Sequence, residues 1–136
     1  MVQNMTEENS TQLDNSNKSI LARGCDPALS QWATLALPPL IGNPEYVATT
    51  DDDDFIAKLQ SRDWSVIYFA PGACRFSAAK MQIPGGTSRT RGWTLEEYRT
   101  LIQEIQGDSV PIVESVGENE GLVLLKEALK LARETR

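Results

Sequence analysis

The chain has 136 residues, enough for one hydrophobic core, and its 40% apolar and 24% charged composition is that of an ordinary globular protein. Its net charge of −6 and pI near 4.6 argue against nucleic acid as a partner, because a phosphate backbone repels an acidic surface. With no histidine, the chain cannot build Ser-His-Asp or Cys-His catalysis from its own side chains. Its two cysteines, Cys25 and Cys74, offer neither a metal-ligand pattern nor a disulfide scaffold.

No apolar run approaches the roughly 20 residues of a membrane span. The start, Met-Val-Gln-Asn-Met-Thr-Glu-Glu, lacks the basic and apolar regions of a secretory signal. A soluble, cytoplasmic protein without membrane contact is expected.

Residues 1–24 are rich in Asn, Ser, Thr and Gln without apolar periodicity, and are predicted to form a disordered tail. Residues 25–136 are predicted to fold as one α/β domain. Asp26-Pro27 opens a helix, with Asp as N-cap and Pro at the first helical position, and Leu29, Trp32, Ala33 and Ala36 on one face. Prolines 38, 39 and 44 with Gly42 make an irregular stretch, followed by an optional edge strand over residues 45–49. The run Asp51 to Asp54 lacks the spacing of an EF-hand loop and reads as carboxylates capping a helix that carries Phe55, Ile56 and Leu59.

Residues 64–70 are apolar, β-branched and aromatic throughout, as in a strand buried on both faces, and the strand stops at Pro71-Gly72. An irregular stretch of 22 residues follows. A capping box, Thr94 with Glu97, then starts a helix bearing Leu95, Tyr98, Leu101, Ile102 and Ile105, which Gly107 ends. Residues 110–116 form a second strand, and Glu118 or Asn119 opens a last helix. Strands separated by helices pair in parallel, so the expected fold is a small, mainly parallel sheet of two or three strands flanked by three or four helices. A sheet that thin invites completion by another copy of the chain, so homo-oligomerisation is among the expectations.

The segment from Trp64 to Leu95 holds four of the 13 basic residues, Arg75, Lys80, Arg89 and Arg91, and none of the 19 acidic ones. It leaves the carboxyl end of the clearest strand, where open α/β sheets bind ligands. Backbone amides at Ala70 to Cys74 are suited to an anion-binding nest. The predicted function is therefore a non-enzymatic, cofactor-free binding domain holding an anionic small molecule or an acidic protein surface at loop 71–92. Gly72, Ala73, Arg75, Ser77, Lys80, Arg89 and Arg91 are its candidate contacts. The same loop also reads as a lid or a phosphorylation segment, with Ser88 and Thr90 as acceptors.

The stretch Ser65-Val-Ile-Tyr-Phe-Ala-Pro-Gly-Ala-Cys-Arg-Phe-Ser77 resembles the active-site strand and turn of thioredoxin-like proteins, and Cys74-Arg-Phe-Ser77 is similar to the Cys-Gly-Phe-Ser of monothiol glutaredoxins. This resemblance covers about 60 residues and implies a thiol-redox or glutathione-binding protein acting through Cys74, with Arg75 and Ser77 supporting its thiolate. Cys74-x5-Lys80 is also similar to the cysteine-phosphatase loop, but has lysine where that chemistry needs a bidentate arginine. A purely structural or assembly role is the third expectation.

Overall fold

The structure is a computed structural model that describes residues 13–136. Four strands, β1 (Ser19–Arg23), β2 (Glu45–Thr49), β3 (Val66–Phe69) and β4 (Ile112–Glu114), form one all-parallel sheet in the order β2-β1-β3-β4. Leu21 of β1 is in register with Val47 of β2 on one side and Ile67 of β3 on the other. The connecting helices are α1 (Pro27–Ala36), α2 (Asp52–Ser61), α3 (Pro71–Ala78), α4 (Leu95–Gln106) and α5 (Glu118–Leu131), with a 3-10 turn at Pro38–Leu40 after α1.

Alternation along the strands sends side chains to two separate cores. Leu21, Ile67 and Phe69 pack with Phe55, Ile56 and Leu59 of α2 and with Tyr98, Leu101 and Ile102 of α4. On that side Phe55, Phe69 and Tyr98 form an aromatic triad with ring centroids 5.6 to 6.4 Å apart. Ile20, Ala22, Val66 and Tyr68 face the other way, against Leu125 and Leu129 of α5 and Ala33 of α1.

Several predictions need correction. The tail does not extend to residue 24, because Ser19–Arg23 is a fully buried interior strand of the sheet. Only three of its five residues are apolar, and its polar ends are satisfied internally: the Ser19 N–H donates to Ser65 Oγ at 2.9 Å, and Arg23 is held by Asp52. Residues 1–12 of the predicted tail lie outside the described residues. The sheet has four strands rather than two or three, and five α-helices flank it rather than three or four.

The stretch after β3 is not irregular from Pro71 onward, since Pro71–Ala78 is helical and the expected nest is its first turn, where the Cys74 N–H already donates to the Ala70 carbonyl at 3.1 Å. Finally, the predicted inner face of α1 is only half engaged. No residue of α1 is fully buried, and Leu29 and Trp32 remain largely exposed.

Candidate functional site

The chain runs from β1 outward to β2 and then back past β1 to β3, so the crevice between the carboxyl ends of β1 and β3 is the switch point of the sheet. The two sides of that crevice are filled differently. Toward α2 and α4 the chain fills it with its own residues. Toward α1 and α5 it stays open.

On the filled side, Arg23 at the end of β1 and Asp52 at the start of α2 form an ion pair with no solvent exposure, Nη2 to Oδ1 at 2.9 Å and Nε to Oδ1 at 3.0 Å. Oδ2 accepts from Tyr98 at 2.6 Å and from Thr90 at 2.5 Å. Burial, and the need to keep donating to Asp52, push the Tyr98 hydroxyl above its ordinary value.

Residues 83–90 are strapped across this pair. Arg23 Nη2 donates to the Pro84 carbonyl at 2.8 Å, and the Asp52 N–H donates to the Gly85 carbonyl at 2.9 Å. Gly85 has a φ of +89°, and a Cβ there would strike the Thr50 carbonyl oxygen, so only glycine brings the strap this close. Thr90, predicted as a phosphorylation acceptor, is the buried anchor of this strap, whereas Ser88 is exposed.

On the open side lies a cavity of about 280 Å³. Its floor includes Ala22 and Tyr68 of the sheet; its walls include Trp32 and Ala33 of α1, Leu122 of α5, and Gly72 with Arg75 of α3. Most of this surface is apolar. Its polar lining residues include Cys25, Asp26, Ser30, Arg75, Glu118 and Asn119, beside the rings of Tyr46 and Tyr68. A Cβ at Gly72 would collide with Cys25 Sγ, so the loop after β1 and the first turn of α3 touch here without a side chain between them. Pro71, Gly72 and Arg75 reach the cavity together because the one-turn spacing puts them on one side of α3. Ala70, the N-cap of α3, has no side-chain acceptor for the first-turn amides.

The predicted contacts thus separate. Gly72 and Arg75 line the cavity. Ala73 is fully buried in the core behind it. Ser77 is buried and accepts the Leu95 N–H at 3.0 Å, tying α3 to the start of α4. Lys80, Arg89 and Arg91 are exposed and do not line the cavity.

Cys74 lies in the second turn of α3, buried, with its thiol 3.3 Å from the Phe69 carbonyl. Burial pushes that thiol up to about 11. It borders a second, shallower groove with Ser77, Thr94, Arg99, Glu114 and Ser115, where Arg99 is already engaged bidentately by Glu114 at 2.6 and 2.7 Å. Cys25, not singled out by sequence as a site residue, is the thiol at the cavity, half-buried and free.

Sequence reasoning also missed the Arg23–Asp52 pair. A signal existed for Asp52: it lies on the stripe 52, 55, 56, 59, the i, i+3, i+4, i+7 positions that α2 buries. Among the described residues no group of three or more His, Cys, Asp or Glu gathers as a metal site, and no helix is long and apolar enough to cross a membrane. No family model, curated protein or solved structure matches the chain.

Proposed function

We propose that the protein is a binding domain that holds a small molecule with an apolar body and one acidic group in the cavity at the carboxyl edge of the sheet, the acid facing Arg75. What carries this reading is the cavity: it sits at the switch point, its wall is apolar, and Arg75 is the one cation among its lining residues. Its volume is near the lower end of the roughly 300–1,000 Å³ of small-molecule pockets, which favours a compact ligand.

Arg75 is engaged weakly enough to exchange partners. Its guanidinium donates to the Val116 carbonyl at 2.6 Å, but its ion pair with Glu118 is 3.5 Å long and both side chains are mostly exposed. A ligand carboxylate replaces Glu118 in a bidentate contact and adds the free first-turn amides of α3.

The test is a thermal-shift panel of compact aryl and branched alkyl carboxylates, each beside its neutral amide. The acids are expected to raise the melting temperature more than the amides and to slow alkylation of Cys25. Arg75→Gln should erase the preference for acid over amide, while combined Lys80→Ala, Arg89→Ala and Arg91→Ala leaves it intact. Equal shifts from inorganic phosphate alone, or no shift from any compound, would refute this assignment.

A further inference from the structure

All three tyrosines of the chain are buried, and they divide by what their hydroxyls meet. Tyr98 donates to Asp52 at 2.6 Å on the filled side of the sheet. Tyr46 and Tyr68 lie on the opposite face, 8% and 4% exposed, and both line the cavity. Neither of these two hydroxyls has a hydrogen-bond partner among the described residues, and neither oxygen is enclosed by the protein. A buried phenol ordinarily finds a partner within the fold, because leaving it without one costs the desolvation of the group.

Strand register explains how the two rings come to share one cavity. Tyr46 of β2 is opposite Ile20 and Tyr68 of β3 is opposite Ala22, so the rings flank β1 diagonally on one face. Toward the carboxyl edge β1 sets only the methyl of Ala22 between them, and the space a larger side chain would fill belongs to the cavity. The Tyr68 hydroxyl reaches α5, where a Cβ on Gly121 would stand 2.9 Å from it; glycine there leaves room for the phenol near Glu118 and Leu122. Burial pushes both hydroxyls up, so each keeps its proton and is able to donate it.

We propose that Tyr46 and Tyr68 are a second polar pole of the cavity, donating to a neutral carbonyl oxygen of the ligand. The inference rests on the cavity reading above and narrows its ligand class to compact keto or amide acids. A carbonyl oxygen has two lone pairs, one for each phenol O–H. A second carboxylate is disfavoured at this pole, because Arg75 is the one cation of the lining and the charge of Glu118 is felt at Tyr68. A hydrocarbon body leaves both phenols without a partner, which is how a site built to hydrogen-bond a group rejects the analogue that lacks it.

The experiment is titration calorimetry of the full chain with matched pairs: para-acetylbenzoate against para-ethylbenzoate, levulinate against valerate and, to set the acid aside, acetophenone against ethylbenzene. In each pair the carbonyl compound is expected to bind about tenfold tighter or more. Tyr46→Phe combined with Tyr68→Phe is expected to erase that ratio and to leave affinity for the hydrocarbon member unchanged. Arg75→Gln weakens the acids and leaves the acetophenone ratio intact. With no partner in the fold to lose, the double phenylalanine variant melts at or above the wild-type temperature, unlike Tyr98→Phe.

Equal affinities within every pair overturn the proposal, and the acid-binding reading survives them if the benzoates still bind. A double variant that melts clearly below the wild type also overturns it, by showing that the hydroxyls have partners within the fold. A preference for acetophenone without binding of the benzoates supports the phenol pole and removes the acid. Binding by none of these compounds overturns the proposal together with the reading it rests on.

Discussion

A carboxylate removed from water needs a donor for each lone pair, and Asp52 is met by Arg23 twice, by Tyr98 and by Thr90. Its sequence neighbour Asp51 has the ordinary role, capping α2 by accepting the Asp54 N–H at 2.8 Å. One of four consecutive aspartates therefore faces inward, and local composition concealed it. Asp52→Ala leaves Arg23 an uncompensated buried cation and should cost about 3–5 kcal/mol, whereas Tyr98→Phe removes one donor of several and should cost about 1–3 kcal/mol. Urea unfolding midpoints measure both. A loss below about 1 kcal/mol for Asp52→Ala would mean that water reaches Arg23 and that the pair does not fasten the strap.

Helix starts were legible because capping is local chemistry. Asp26 accepts from the Ala28 and Leu29 N–H groups, and Thr94 and Glu97 close the capping box of α4, as their spacing predicts. Two elements escaped for opposite reasons. β1 is short and bounded by Ser19 and Arg23, so its three apolar residues merged with the polar segment before it. Pro71-Gly72 reads as a stop after β3, yet proline at the first helical position is equally a start.

The end of that helix supplies a prediction. Lys80 has a φ of +59°, while the Lys80 N–H donates to Ser77 and the Met81 N–H to Phe76, both at 2.9 Å, a Schellman closure with lysine where glycine is preferred. Lys80→Gly should raise stability by about 0.5–1 kcal/mol, read as a higher melting temperature. A decrease would show that the lysine side chain stabilises the fold by more than its backbone strain.

The sheet organises the molecule into two unequal sides at its carboxyl edge. The α2 and α4 side is sealed by residues 83–90, so the open α1 and α5 side is where a ligand finds room. Titration of the whole fold follows from groups buried around these two sides. Burial pushes Cys74 up from 9 to about 11 and Tyr68 up from 10 to about 12.

Both groups lose their protons more readily when unfolded, so the unfolded state binds fewer protons in this range and stability falls as pH rises. Their contribution is full below about pH 9, declines as pH climbs, and is gone above about pH 12. Urea midpoints between pH 8.5 and 11 should decline less steeply in Cys74→Ala than in the wild type, at roughly the slope of one titrating group. Identical slopes would place the thiol in contact with solvent.

The α/β class, the helix starts and the apolar strand β3 were written locally, because period, capping and β-branching act between residues a few positions apart. Strand order, the membership of β1, and the fate of the four cations were not, because each depends on contacts between distant segments. Arg75 turns to the cavity while Lys80, Arg89 and Arg91 stay outside it, since one helical turn separates Gly72 from Arg75 and a strap anchored on Thr90 carries the later arginines away. Proximity in the chain placed the four in one segment between β3 and α4, and the fold at the sheet's edge brought Arg75 to the cavity and left the other three outside it.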